Sequence, residues 1–293
     1  VSEIVGRRPA FYQGDMGDVE PLREIIRRHR IDAVVHLAGL KSVGESVQQP
    51  LRYFQNNVCG TLGLLKAMEL ESVSRLVFSS SATIYGDPQY LPIDEAHPQQ
   101  ATNPYGRSKL HIEDMLRDVC AARPSLATVC LRYFNPVGAH DSGLIGEHPR
   151  GVPNNLMPYV VQVACGQRAL LSVFGGDYPT PDGTGVRDYI HVMDLAEGHL
   201  AALNHLSANS GWQAFNLGTG RGFSVLEMVR AFERVSGQAV PYTITARRPG
   251  DVACCYADVR AARAGLDWQA TRSLDEMCSS AWHFQSRLAQ EVR

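Results

Sequence analysis

The feature that most constrains this chain is an alternation in its first half. Short apolar runs, AVVHLAG (33–39), RLVFSSS (75–81) and ATVCLRYFN (127–135), are separated by longer stretches of helical periodicity, NNVCGTLGLLKAMEL (56–70) and PYGRSKLHIEDMLRDVCAA (104–122). Short apolar runs ending in small or polar residues read as buried strands. Strands alternating with helices build βαβ units, hence a parallel sheet with helices on both faces. Pro104 suits the first turn of the second helix, where a missing N–H costs nothing. The predicted fold is α/β, a Rossmann-like doubly wound parallel sheet.

After Asn135 the texture changes. PVGAHDSGLIGEHPRGVPNN (136–155) is a long loop rich in Gly, Pro and Asn, and long loops in compact domains usually carry function. Beyond it the pattern gives a helix near 155–166, strand-like pieces at 170–174 and 186–192, and helices near 192–206 and 224–236. Two further Gly/Pro-rich loops intervene, FGGDYPTPDGTG (174–185) and ARRPGD (246–251). The expected division is a Rossmann-like cofactor domain over residues 1–135 and a smaller mixed α/β substrate-binding lobe over 136–293, with some segments returning to the sheet.

Composition enters by exclusion. A net charge of −2 with 20% charged residues points to neither nucleic acid nor an acidic membrane surface. No apolar run approaches the ~18 residues of a membrane helix. The opening VSEIVGRRPAF lacks the layout of a secretory signal. Seven cysteines form no C-x-x-C pair, and ten histidines form no ligand pattern. No metal is expected, and reduced thiols in a cytoplasmic protein are. His191 and His199 read as helix and core residues.

The chemistry lies in two stretches, SSSATIYG (79–86) and NPYGRSK (103–109). In a parallel sheet ligands bind beyond the carboxyl ends of strands, where Ser79–Ser81 fall. Tyr105 and Lys109 share one helix face. A phenol with a pKa near ~10 is a poor base at neutrality, and a nearby ammonium lowers that value. A serine hydroxyl can orient the substrate hydroxyl that the tyrosine deprotonates. The resulting alkoxide-like centre can release hydride, and no side chain accepts hydride, so a cofactor is implied. Tyr-x-x-x-Lys alone recurs by chance on helix surfaces; its weight comes from the serine run upstream. Arg187 and Arg248, read as loop residues, suit a diphosphate.

Beyond these motifs, HLAGLKSVGESV (36–47), FSSSATIYGD (78–87), LRYFNPVGAH (131–140), GVPNNLMPYV (151–160), FGGDYPTPDGTGVRDYIHVMDLA (174–196), FNLGTGRGFSVLEM (215–228) and RRPGD (247–251) are long and specific. Over nearly its whole length the chain resembles the UDP-glucose 4-epimerases of the extended short-chain dehydrogenase/reductase family. The resemblance implies interconversion of UDP-glucose and UDP-galactose with tightly bound NAD, in galactose metabolism. Tyr105 would be the base, Lys109 would tune it and hold the nicotinamide ribose, and Ser81 would bond the sugar 4-hydroxyl. Asp15, Met16, Leu37, Ala38, Gly39, Lys41 and Asn56 match cofactor-contact positions, and Phe134 would pack near the nicotinamide. From the residues alone Asp15 could cap a turn, and Leu37 and Ala38 would be core. Tyr133, Asn135, Asn154, Asn155 and Leu156 would line the UDP-sugar site. So would Ser172, Val173, Phe174, Arg187, Tyr189, Arg248 and Asp251. Asn135 is also placed independently, as the end of a strand on the same sheet edge as Ser81.

The resemblance further implies a homodimer paired through the helices at 56–70 and 104–122. Cys255 falls where such proteins carry a bulky tyrosine or a small residue beside the sugar's 2-substituent, so UDP-N-acetylglucosamine is an expected substrate as well. No Gly-rich turn of the G-x-x-G-x-x-G kind opens the sequence. The first strand, its phosphate-cradling helix and the ribose-binding acidic residue are therefore expected to be missing, and NAD binding by the chain as it stands to be weak. The competing readings are a nucleotide-sugar-binding protein or inactive fragment lacking a complete NAD site, and a nucleotide-sugar 4,6-dehydratase. The latter needs a carboxylate pair after the strand-end hydroxyl, where this chain has Ala82 and Thr83.

Overall fold

The computed structural model describes residues 1–149, 151–248 and 250–291. Four parallel strands form its largest sheet, in the order β1 (Val34–His36), β2 (Arg75–Ser81), β3 (Ala127–Tyr133) and β7 (Gly211–Leu217). The register is unbroken, with Ser81 beside Tyr133 and Tyr133 beside Leu217.

Helices cover both faces. Leu76 and Phe78 of β2 and Cys130 of β3 pack under α2 (Val19–His29), α5 (Gly60–Leu70) and α6 (Pro104–Ala122). Val77, Val129 and Leu131, offset by one residue, pack under α8 (Val192–His205) and α10 (Arg260–Leu266). This period of two is the side-chain alternation of a strand buried on both faces. Full burial of each large side chain contributes roughly 1.5–3 kcal/mol.

β7 explains how the second half returns to the sheet. The rest of that half builds two small sheets. In one, β6 (Val186–His191) lies between β10 (Cys254–Cys255) and β4 (Asn135–Val137), both parallel to it, and pairs antiparallel with β8 (Gly222–Ser224). The other pairs β5 (Leu171–Phe174) with β9 (Tyr242–Thr245). A second core joins α7 (Leu156–Ala164), α9 (Val225–Ser236) and α11 (Leu274–Glu291), and includes Tyr189 and Val137. α9 starts with a reciprocal cap between Ser224 and Glu227 and stops at Gly237 with φ 67°, a left-handed stop suited to glycine. Three short helices complete the fold: α1 (Ser2–Val5), α3 (Val43–Gln48) and α4 (Pro50–Tyr53).

Three expectations change. The run 127–135 is not one strand. It breaks at Phe134, and Asn135 starts β4, which pairs with β6 in a different sheet. Asn135 therefore does not end a strand of the Ser81 sheet. The helix expected over 56–70 begins as a π-helical turn at Phe54–Cys59 before α5. Leu37 and Ala38 are exposed rather than core, because β1 stops at His36.

Candidate active site

Ser81 sits where β2 gives way to a short 3-10 turn, Ala82–Ile84. Its hydroxyl accepts from the backbone N–H of Thr83 at 3.2 Å and from the Thr83 hydroxyl at 2.9 Å. α6 begins nearby. Asn103 caps it by accepting from the Gly106 N–H at 2.9 Å, and Pro104 holds the first turn. That start points Tyr105 at Ser81. Burial pushes the phenol above its ordinary pKa, and a hydrogen bond with Ser81 pulls the other way.

Lys109, one turn later, is 4% exposed. Its Nζ donates to the carbonyl of Ser79 at 2.6 Å, lies 4.8 Å from the Phe78 ring centre, and is 6.0 Å from that of Tyr105. Burial lowers its pKa to about 8, against the pull of Cys130 and Glu113. The expectation that the ammonium lowers the phenol's pKa is thus altered. Here the lysine is bound to a backbone carbonyl, and burial sets the phenol. Tyr133, beside Ser81, donates to His199 Nε2, whose Nδ1 donates to the Leu195 carbonyl at 2.8 Å.

At the end of β1 the chain turns through Gly39 at φ 153°, where a Cβ would meet Asn57 Oδ1 at 3.3 Å. Asn57 is the residue that sequence reasoning missed. Buried in the π-helical turn, it accepts from the Leu40 N–H at 2.8 Å and donates to the Leu40 carbonyl at 2.9 Å and the Ser108 hydroxyl at 3.0 Å. It thereby ties the β1 loop to α6. Asn56 donates to Asn57 Oδ1 at 2.9 Å, and Lys41 is exposed nearby in sequence. Asp15 caps its own turn, accepting from the Gly17 N–H at 2.8 Å, while Met16 packs on Gly60 of α5.

The second sheet gathers another group. Asn135 lies opposite Tyr189, and Cys255 opposite Arg187. Arg187 is a strand residue, not a loop residue as read from sequence, because β10 and β8 flank it. Arg248 donates to Asp251 at 2.9 Å and stands 4.8 Å over the Phe174 ring centre. The other oxygen of Asp251 is 3.9 Å from Arg187. Two cations thus share one carboxylate, leaving net positive charge. Burial raises Tyr189 to about 12, with both arginines opposing, and Cys255 to about 11. Of the RRPGD motif, Pro249 lies outside the described residues.

β5 exposes Ser172 and Phe174 and buries Val173, so only the backbone of Val173 can meet a ligand. Leu156 packs half-buried on the second core. Asn154 accepts from the Ser42 hydroxyl at 3.3 Å, and Asn155 donates to Glu147 at 2.7 Å. Phe134, 6% exposed, packs with Ala82, Ile84 and Tyr85 and joins the two groups. Asp188, also missed, accepts from the N–H groups of Thr219, Gly220 and Ala257 and fixes the loop after β7 behind Arg187 and Tyr189.

Fold and site together define a dehydrogenase-type sheet that carries a Ser–Tyr–Lys set, with the Arg187–Asp251–Arg248 cluster in the neighbouring sheet region. Residues 2–281 match the family model described as GDP-mannose 4,6 dehydratase. The mouse protein named UDP-glucose 4-epimerase is 56% identical over 288 residues, 98% of this chain and 83% of that protein. The solved UDP-glucose-4-epimerase of Stenotrophomonas maltophila, with bound NAD and formylated UDP-arabinopyranose, superimposes with a TM-score of 0.97 at 48% identity, over 99% of this chain and 86% of its own. That of Bifidobacterium longum, in complex with NAD+ and UDP, gives 0.93 at 51%, over 98% and 85%. The chain belongs to the UDP-glucose 4-epimerase family.

Proposed function

We propose that this chain interconverts UDP-glucose and UDP-galactose by transient oxidation at the sugar 4-position, using bound NAD. The observation that carries the reading is the Tyr105 phenol held on Ser81, one helical turn from the buried Lys109. The residues present fit the nicotinamide-ribose end of the cofactor. Lys109 Nζ has three donors and one hydrogen-bond partner among the described residues, and Gly39 keeps the β1 loop free of a side chain. Lys109 and the segment Leu37–Lys41 would hold NAD, with Asn56, Asp15 and Met16 as further contacts and Phe134 against its ring. When bound, NAD accepts hydride from the sugar carbon and gives it back.

The protein's part is proton handling and grip. Ser81 bonds the 4-hydroxyl and aligns it with Tyr105, which removes the hydroxyl proton and later returns it to the 4-oxygen as the hydride comes back to the other face of carbon 4. Arg187 and Arg248 hold the diphosphate while the 4-keto sugar swings about its link to it. Tyr189, Asn135, Tyr133 and the loop at Asn154–Leu156 complete the clamp, with Ser172–Phe174 and Asp251 at its rim. Ala82 and Thr83, in place of an acid/base pair, speak against dehydration. The same reading assigns residues 1–135 to the cofactor and 136–293 predominantly to the UDP-sugar, and places the protein in the cytoplasm as a homodimer that needs neither nucleic acid nor membrane.

The test is turnover in D2O. With NAD supplied, the protein should equilibrate the two UDP-sugars with no deuterium entering carbon 4, because the same hydride returns. Binding without conversion sinks the enzyme reading. Deuterium at carbon 4 sinks the hydride-return chemistry.

A further inference from the structure

Behind the Ser79–Ser81 strand end lies a buried ion pair that the chemistry above leaves unused. Glu113 is 0% exposed and Arg132 1%. Arg132 grips Glu113 with two hydrogen bonds, Nη2 to Oε2 at 2.7 Å and Nε to Oε1 at 3.1 Å. Its third nitrogen, Nη1, donates to the Tyr85 hydroxyl at 2.9 Å and the Glu95 carbonyl at 3.0 Å. The Tyr85 hydroxyl in turn donates to Asn216 Oδ1 at 2.7 Å. A buried pair repays its desolvation only when its remaining groups are bonded, and here each of the three guanidinium nitrogens has a partner.

One contact makes this network more than packing. Ser80, 1% exposed, donates to Glu113 Oε1 at 2.5 Å. Ser80 lies between Ser79, whose carbonyl holds Lys109, and Ser81, which meets Tyr105. Lys109 and Glu113 are one turn apart on α6. Two adjacent strand residues are therefore tied to two adjacent turns of the helix. Lys109 donates to the strand, and the strand donates back through Ser80.

We infer that Glu113 and Ser80 are positioning residues for the reaction: with Arg132 they fix the strand end and the helix face, so that Ser81, Tyr105 and Lys109 keep their mutual placement. Neither touches the reacting atoms. The inference rests on the epimerase reading for its consequence in turnover, but not for its geometry. Glu113 also adds to the positive character of Lys109, since its charge favours the protonated amine.

The experiment compares Ser80→Thr with Ser80→Val, which share bulk and differ by the hydroxyl, and adds Glu113→Gln. Two readouts are taken on the full chain. The first is labelling of Lys109 by an amine-acylating reagent, followed by mass spectrometry across pH, which requires no turnover. Ser80→Val and Glu113→Gln should label faster than the starting protein, and Glu113→Gln should shift the labelling midpoint to lower pH. Ser80→Thr should stay close to the starting protein. The second is steady-state turnover of UDP-galactose. Ser80→Val should lose roughly ten- to a hundredfold in kcat, the scale of a misplaced reacting group, with KM nearly constant, and Ser80→Thr should recover most of it. Unchanged Lys109 labelling in both Ser80→Val and Glu113→Gln overturns the inference. So does an equal loss in Ser80→Thr and Ser80→Val, or a lower melting temperature with kcat intact. Absent turnover in the unmutated protein with labelling shifts as stated counts against the epimerase reading and leaves the positioning role supported.

Discussion

The ammonium of Lys109 donates to the carbonyl oxygen of Ser79 at 2.6 Å, while Tyr105, one turn earlier, is paired with Ser81. The strand end thus receives both members of the Tyr-x-x-x-Lys pair, but through different atoms. Without ligand the phenol is held in its neutral form by burial. Its conversion to a base therefore belongs to the loaded site rather than to the empty one.

Tyr105→Phe should test that role directly. Proton transfer by a positioned side chain contributes about 10²–10⁴-fold. We expect kcat to fall by that factor while calorimetric affinity for UDP stays within about twofold, because the arginine clamp is untouched. A Phe variant that epimerises at close to the normal rate removes Tyr105 from the mechanism.

Arg187 is fixed between β10 and β8, whereas Arg248 stands at an exposed rim on Phe174 and Asp251. A charge-assisted hydrogen bond contributes about 1.5–3 kcal/mol. Arg187→Ala should therefore weaken UDP binding by roughly ten- to a hundredfold, and Arg248→Ala by less. Titration calorimetry with UDP ranks the two. Equal and small losses would show that the diphosphate lies elsewhere.

Cys255 lies beside Arg187, partly buried, with a thiol raised to about 11 and so protonated and compact at neutral pH. Exclusion by bulk needs only steric overlap. Cys255→Tyr should abolish turnover of UDP-N-acetylglucosamine while leaving UDP-glucose within a few-fold. Parallel kinetics on both substrates check this. Negligible activity of the unmutated protein on the acetylated sugar, or an unchanged preference in the variant, refutes it.

His36 is 3% exposed on β1, bonded to the Thr61 hydroxyl at 2.8 Å, and burial with Lys109 nearby lowers its pKa to about 4. The unfolded chain takes up a proton near the ordinary value of 6.5 that the folded chain refuses. This contribution is complete above 6.5 and is lost as pH falls toward 4, on the order of 3 kcal/mol in all. Urea unfolding from pH 4 to 7 should show a shallower pH slope in His36→Gln. Identical slopes in both proteins would mean that His36 is already charged when folded.

Leu62 on α5 is 56% exposed and Leu51 82%, and the proposed dimer would cover the α5 face. We expect a dimeric mass by light scattering, and a monomeric mass for Leu62→Glu. A monomer at working concentration in the unmutated protein defeats the proposal.

The parts of this fold set by local pattern were legible. RLVFSSS is β2 to the residue, since seven residues between a polar start and a helical turn leave little freedom. ATVCLRYFN was not, because nothing in an apolar run marks where a strand changes partners. Asn57 was hidden for a related reason. Asn56 and Asn57 look alike in the sequence, and only the π-helical turn decides which one is buried. Of the site, the Ser81, Tyr105 and Lys109 set could be read from spacing and strand ends. Nothing in the sequence sets Glu113 and Arg132 apart from ordinary charges of a helix and a strand. Their burial follows from sheet order, which the sequence does not display.

The break at Phe134 bears on how a ligand gets in. Tyr133 is hydrogen-bonded into the sheet that carries Ser81, Asn135 into the sheet that carries Arg187, and the single residue between them is packed in an apolar cluster with its N–H on the Leu217 carbonyl. A joint one residue long, locked on both sides, has almost no travel. We expect the two sheets to keep their spacing when a ligand binds. On the proposed function, ligand exchange is then expected at the rim near Asn154 and Arg248, away from the alignment at Tyr105.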